Sequence, residues 1–416
     1  MRRFSSGLVL AVVTVMAQAQ GAGGLPAADE VMKALRESPR LQVQVESVEQ
    51  GMQRERKRRA GPHEWQIVAM QQQRTEASGQ RFDEQEYGLQ RAMRWPWKAS
   101  IDRRLGSQER LVGELSYSDA WHEAGRDLLD MWFEWFGAEE AVKIAESQVQ
   151  SLREQQRSVE RRVEAGDAAA VELQLADAET RRMQSARNEA AVAAMRAREA
   201  LAREFPLLPL ATPATLDQPV ALPGTDAQWM ENITADNHEL ELAHSEAKAA
   251  RLQAERASVD RLADPMLALR YSDNLDGNRR LLGLTVTLPI GGTTRSADAA
   301  LARSESRKAE ATVRLVTDRV HSDARAATAA ARLSVANWQD LTEAAARMRR
   351  AADAAARGYE LGEMDLSVTL TARRQALEAQ QQLMMAHLTA LHDHARVLLD
   401  SHMLWALPEG HEPIEH

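Results

Sequence analysis

The sequence contains no cysteine, which excludes disulfide staples, thiol catalysis and cysteine-ligated metal centres. Aromatic residues make up only 4% of the 416 positions. That suits long helices over thin cores better than one thick globular core. Beyond the N-terminus no uncharged apolar run reaches the roughly 18 residues of a membrane-crossing helix. A basic excess is also missing. The formal net charge is −9 with both signs interspersed, so no nucleic-acid partner is expected. The one strong basic run, Arg54, Arg56, Lys57, Arg58 and Arg59, reads as a solvated helix end or as a patch facing anionic lipid. No Ser/His/Asp order, phosphate-cradling glycine loop or carboxylate pair stands out, so neither an enzyme nor a cofactor is expected.

What is present is organised by proline. Arg2 and Arg3 precede an apolar stretch from Leu8 to Met16, and Ala17-Gln18-Ala19 follows. Residues 1–19 therefore read as a signal peptide, with the mature chain outside the cytoplasm. The rest is written twice. "ESPRLQVQVESVEQG" (37–51) matches "DNHELELAHSEAKAA" (236–250), each with a helix-start cluster before a leucine, Leu41 or Leu240. Pro62 pairs with Pro265 in opening a strand-like run, and Pro96 with Pro289 in closing the next. "VEAGDAAAVELQLA" (163–176) matches "YELGEMDLSVTLTA" (359–372). Ordered pairs at a nearly constant offset argue for an internal duplication. The expected division is a first repeat at 20–204, a proline-rich connector at 205–224, a second repeat at 225–406 and a polar tail at 407–416.

Each repeat reads helix, strand, strand, long helix, reversal, long helix. Strands are expected at about 63–73 and 84–95, and at about 265–273 and 281–290. In the last, Leu282, Leu284, Val286 and Leu288 alternate with Gly283, Thr285 and Thr287. One face is greasy and the other wet. Arg91 falls on the apolar parity of the second strand, so either a bulge near Gly88 shifts the register or Arg91 lies at a membrane interface. Trp65, Trp95 and Trp97 sit near strand ends, where aromatic girdles anchor barrels. Along the helices, Val142, Ala145, Val149, Leu152, Gln156, Val159 and Val163 step by three and four. Ala324, Ala327, Ala331, Ser334, Trp338, Leu341, Ala345, Met348, Ala352, Ala355 and Tyr359 do the same. Both are coiled-coil seams. Strand edges in lipid must be paired, which only a closed barrel achieves. Membrane barrels begin at about eight strands, so the few strands of one chain must be completed by sister chains.

The duplicated plan, the "LTVTLPIGG" corner, the "ESPRLQ" helix start and the "YELGEMDLSVTLTA" reversal resemble the outer-membrane efflux (TolC-like) family across essentially the whole mature chain. The resemblance implies a mainly α fold with a small β part: a homotrimer with a 12-stranded β-barrel in outer-membrane lipid and a long α-helical barrel in the periplasm. It implies an exit duct loaded by an inner-membrane efflux pump through a periplasmic adaptor protein. The tips at Gly166, Asp167, Gly362 and Glu363 would form the periplasmic mouth where the adaptor docks. Pro62, Pro96, Pro265, Pro289, Gly291 and Gly292 would turn the barrel into the helices. Tyr359 matches a tyrosine that tethers the closed mouth, but Met364 stands where a basic partner is expected, so the tether differs. Where the family often carries acidic rings, Val368, Thr371 and Leu175 stand; Glu172 remains, with Glu363 and Asp365 nearby. The short chain and spare loops are similar to the heavy-metal-cation (CzcC-like) branch. His392 and His394 flank Asp393 without the spacing of a zinc helix, and His402, His411 and His416 follow; no metal site is expected. A periplasmic adaptor with a coiled-coil hairpin is the alternative. It would need a separate β domain that the sequence does not offer.

Overall fold

The computed structural model describes residues 24–211, 216–274 and 279–407. The signal-peptide segment and the tail from 408, with His411 and His416, lie outside the described residues. The first half runs α1 (Ala28–Arg36), α2 (Pro39–Ala60), β1 (Gln66–Thr75), β2 (Arg81–Ala92), α3 (Pro96–Glu164) and α4 (Ala170–Glu204). The second runs α5 (Asp226–Ala235), α6 (His238–Val259), β3 (Met266–Asn274), β4 (Arg279–Thr287), α7 (Thr293–Glu360) and α8 (Leu366–Asp400). By internal contacts the described residues form two units. One takes those up to Ala34 with Glu134–Pro219, and the other takes Leu35–Phe133 and those from Val220 onward.

The first unit is dominated by the hairpin of α3 with α4. Ala145, Val149, Leu152 and Val159 of the expected seam are buried, and so are Ala176, Thr180 and Met183 of α4. The polar seam residue Gln156 is satisfied across the hairpin by Asp177 at 3.3 Å. In the second unit α7 is a continuous helix of 68 residues, about 100 Å long at the α-helical rise. Its seam buries Ala324, Ala331, Ser334, Ala345, Ala355 and Tyr359, with α8 as the main partner. Met348, expected in that seam, is exposed. Its neighbourhood on α8, from Thr371 to Met385, buries nothing, so the seam opens there. Nearer the other end, Leu222, Trp229 and Ile233 pack on Ala324, Ala331 and Val397.

The starts of α2 and α6 obey the same local rule. Ser38 Oγ accepts from the Leu41 amide at 3.4 Å, and Asn237 Oδ1 accepts from the Leu240 amide at 3.0 Å. Both are N-caps that satisfy an orphan helix donor. Where the repeat pattern suggests a single helix at each start, the structure adds a short helix before the break. Those short helices are α1 and α5. Helices α2 and α3 then run backbone against backbone. A Cβ on Gly113 would stand 2.9 Å from the Ser47 carbonyl oxygen, and one on Gly51 3.1 Å from that of Glu109.

The strands form one antiparallel sheet in the order β1-β2-β3-β4, so the two repeats meet at β2 and β3. The expected boundaries shift. The second strand ends at Ala92 rather than 95: the Met93 amide still donates in register to the Pro265 carbonyl at 2.7 Å, but proline has no amide to return the bond. The fourth ends at Thr287, before the Leu288-Pro289 step, where proline removes the ladder donor. Pro96 belongs to α3 as its first residue, a position where the missing amide costs nothing.

Gly113→Val should push α2 off α3 and cost about 1–3 kcal/mol, as overpacking does. A denaturation midpoint equal to wild type would show that the two backbones are not in the contact described.

Candidate functional site

The register places side chains in rows across all four strands. Ile67, Leu89, Leu269 and Leu284 are mutual partners, and so are Ala69, Tyr87, Tyr271 and Leu282. Arg91, Leu267 and Val286 make a third row. These rows share one face by the period of two, and that face is bare: Ile67 is 83% exposed and Leu284 72%. Covering each such side chain is worth about 1.5–3 kcal/mol, so the face as a whole is short of on the order of 10 kcal/mol of burial. The opposite face carries Gln66, Gln90 and Thr285 in one row and Glu86 and Ser272 in another. There Arg270 pairs with Glu86 at 3.4 Å and Arg74 with Glu84 at 3.1 Å. β1 and β4 are the outer strands, each with one edge unpaired among the described residues.

Pairing through Gln85–Ala92 is unbroken, so no bulge shifts Arg91. Its side chain turns toward the helices, where Nε donates to the His63 carbonyl at 3.2 Å and the guanidinium covers the Trp65 ring at 5.3 Å. Trp95 and Trp97 stack with ring centroids 4.7 Å apart. Aromatic rings therefore gather at the end of the sheet that meets the helices.

Beneath that end lies a buried ionic clamp. Lys98 has no exposed surface, and its Nζ reaches Asp260 at 2.8 Å, Asp264 at 2.9 Å and the Leu262 carbonyl at 2.6 Å. Asp102 receives Arg94 at 2.8 Å and Arg256 at 2.7 Å. His63 meets the other Asp264 oxygen at 2.8 Å. Burial pushes the Asp260 carboxyl up, but hydrogen bonds from Lys98 and Arg256 outweigh it and hold the group below its ordinary range. Asp264 is lowered likewise, burial being outweighed by hydrogen bonds from His63 and Lys98. Of the corner residues, Pro265 opens β3, Pro62 lies between α2 and β1, Pro289 lies between β4 and α7, and Gly292 caps α7. A Cβ on Gly291 would stand 2.6 Å from the Arg261 carbonyl. In the basic run, Arg58 forks onto Glu109 at 2.9 and 3.2 Å.

Each hairpin tip is closed by the same hydrogen bonds. Gly166 donates to Val163 at 3.1 Å and Asp167 to Arg162 at 2.8 Å; Gly362 donates to Tyr359 at 3.1 Å and Glu363 to Gly358 at 2.8 Å. This is a Schellman turn, and the φ values of +79° and +76° at the two glycines are what it requires. Gly166, Asp167, Gly362, Glu363, Met364 and Asp365 are exposed. Tyr359 is buried under its own tip, and Met364 folds over Gly358. Glu172 Oε1 accepts from the Ala169 amide at 3.4 Å, capping the start of α4. Elsewhere His392 pairs with Asp130 at 2.7 Å and His394 donates to the Val220 carbonyl at 3.1 Å, so the two rings serve different partners. Among the described residues no helix is long and apolar enough to cross a membrane and no cluster is arranged to hold a metal ion.

No protein-family model and no curated protein matches the sequence. Solved structures do. A Pseudomonas aeruginosa membrane protein superposes with a TM-score of 0.77 at 17% identity, covering 91% of each chain. The CmeC outer membrane channel of Campylobacter jejuni gives 0.76 at 15% identity, over 92% of this chain and 86% of that one. The MtrE outer membrane channel of Neisseria gonorrhoeae gives 0.71 at 17%, over 91% and 89%. The fold is that of the outer-membrane channels. Sequence reading missed the ionic clamp: Lys98 and Asp102 meet Arg256, Asp260 and Asp264 across separations of 154 and 162 residues, for Asp102–Arg256 and Lys98–Asp260.

Lys98→Met would remove the ammonium that Asp260 and Asp264 share while leaving Asp264 its bond to His63, and losing one partner of such a bond costs about 1–3 kcal/mol. Both aspartates titrate below their ordinary values. Their contribution should therefore be complete above about pH 4 and fade as the pH falls further. A wild-type stability that does not decline in acid, or an unshifted Lys98→Met midpoint, contradicts the clamp.

Proposed function

We propose that the chain is one protomer of an outer-membrane exit duct, through which solute energised elsewhere passes without catalysis. The observation that carries this reading is the bare apolar face on a sheet with two open edges. Lipid would cover the face, and sister strands would satisfy the edges. Three chains give a barrel of 12 strands, within the range of membrane barrels. The greasy rows would then face hydrocarbon and the Glu84, Glu86 and Arg270 side the lumen. Arg91 and the tryptophans would lie at the interface on the periplasmic side, where a snorkelling guanidinium and indole rings are at home. Below it the helices would continue as a periplasmic tube. The tips at Gly166 and Gly362 would face an adaptor protein, itself loaded by an inner-membrane pump.

Within this reading the heavy-metal-cation branch is our proposal for the cargo class. It is supported by the economy of the outer loops: β1 and β2 are joined by residues 76–80 alone, closed by a Glu76 amide to Gln80 carbonyl bond of 2.9 Å. With Tyr359 buried and Met364 packed on Gly358, closure of the mouth would rest on packing at the tips rather than on a tyrosine–cation tether. Glu172, Glu363 and Asp365, repeated in three copies, would lend the mouth a negative potential.

Purified protein should cross-link as a trimer and give stepwise conductance in planar lipid films. Leu284→Arg, on the lipid face, should cost about 2–4 kcal/mol of insertion near mid-bilayer and deplete the outer-membrane fraction. The same change at Thr285, on the lumen side, should leave assembly intact. A monomer that never conducts would refute the duct.

A further inference from the structure

In the second unit α3, the start of α6 and the loop after α8 bring three histidines together. Ring centroids are 4.7 Å apart for His238 and His402, 5.2 Å for His122 and His402, and 6.2 Å for His122 and His238. The amides of Ser401, His402, Met403 and Leu404 bond the start of the loop Ser401–Leu407 to the last turn of α8, and two further bonds hook it to other elements. His402 Nε2 donates to the Asp236 carbonyl at 3.0 Å, and Trp121 Nε1 donates to the Trp405 carbonyl at 3.0 Å. His402 and Trp405 hold φ of +58° and +51°, a left-handed region that penalises residues with a Cβ. The hook is therefore strained and persists only while its contacts do.

The gap enclosed by the rings and Trp121, Leu399 and Trp405 is about 10 Å³, room for one water at most. His238 Nδ1 is buried without a hydrogen-bond partner, the Glu241 carboxylate standing 3.9 Å away. His122 Nε2 faces Asp400 at 3.3 Å. Asp400 is already engaged by Arg126 at 2.8 Å and Arg396 at 3.1 Å. The charged groups around the trio are Asp119, Glu123 and Arg126 of α3, Asp236 at the corner, Glu239 and Glu241 of α6, Arg319 of α7 paired with Glu239, and Arg396 and Asp400 of α8.

We propose that His122, His238 and His402 form an acid-released latch: packed together, the rings hold the Ser401–Leu407 hook, and charging His122 or His238 in a gap that has room for one water at most frees it. Burial lowers His122, and it lowers His238 to about 4 with the neighbouring rings adding to the effect. The opened loop, with ordinary histidines near pKa 6.5, therefore binds more protons than the closed one, and acid favours opening. The latch belongs to these helix ends and does not depend on conduction.

Hydrogen–deuterium exchange of the full chain in detergent tests it, at about pH 7.5 and about pH 5 with intrinsic rates corrected. Protection of Ser401–Leu407 should fall by about tenfold or more in acid. The pair His122→Gln with His238→Gln should keep its protection at both values. His392→Gln should keep the full step, because bonds to Asp130 and Asp393 outweigh burial and raise His392 to about 9, so it is charged throughout. A wild-type hook equally protected at both pH values, or a full acid step in the His122→Gln, His238→Gln pair, overturns the latch.

Discussion

A lysine with no exposed surface joins the two halves of the chain. Lys98 stands just inside α3, in the first repeat, and its ammonium is shared between Asp260 and Asp264, which close α6 and lead into β3 of the second. Taking an ammonium out of water costs several kcal/mol unless geometry and hydrogen bonds return it. Here three oxygens at 2.6–2.9 Å do so. The pairing of β2 with β3 lies directly above, and Met93 and Pro265 add their backbone bond at the same level. The sheet is thereby set at a defined angle to α3 and α6, and every row of side chains on it inherits its direction from that clamp.

The sheet so held does not complete itself. Among the described residues it has two open edges and an apolar face that nothing covers. A soluble fold of this size would ordinarily bury such a surface or blunt it with charge. This one keeps charge out of the central rows, placing Glu84, Glu86 and Arg270 on the opposite side and turning Arg91 toward a carbonyl and an indole ring; Arg81, Asp83, Asp273 and Arg280, on the apolar parity, lie at the loop ends of the strands. The proposed trimeric barrel answers edges and face together. The tips answer a different demand. Each must reverse a long helix within a few exposed residues, and each does so by a glycine at positive φ with matching hydrogen bonds.

Much of this was legible in the residues. Alternation of Leu282, Leu284 and Val286 with Gly283, Thr285 and Thr287 is a local consequence of the pleat, so it survives in any context. The glycines at 166 and 362 mark reversals because few other residues tolerate that backbone. The breaks at Ser38 and Asn237 were marked by side chains that cap helices, although the short helices before them were not seen. The strand ends slipped by a few residues, since the second strand stops where Met93 meets Pro265, a partner from the other half with no amide to return the bond. Met348 fits the seam by period but has no buried partner on α8.

Periodicity, proline placement and glycine at the reversals determined the elements, their order and which strand face is greasy. Those properties arise from the chain's own backbone geometry within a few residues. Tertiary structure alone decided the rest. It joined β2 to β3 in a register that lines up Ile67, Leu89, Leu269 and Leu284, gathered Lys98 with Asp260 and Asp264, and brought His122, His238 and His402 into one gap. Such meetings depend on distances between residues far apart in sequence, and electrostatic and packing energies act through those distances rather than through spacing along the chain.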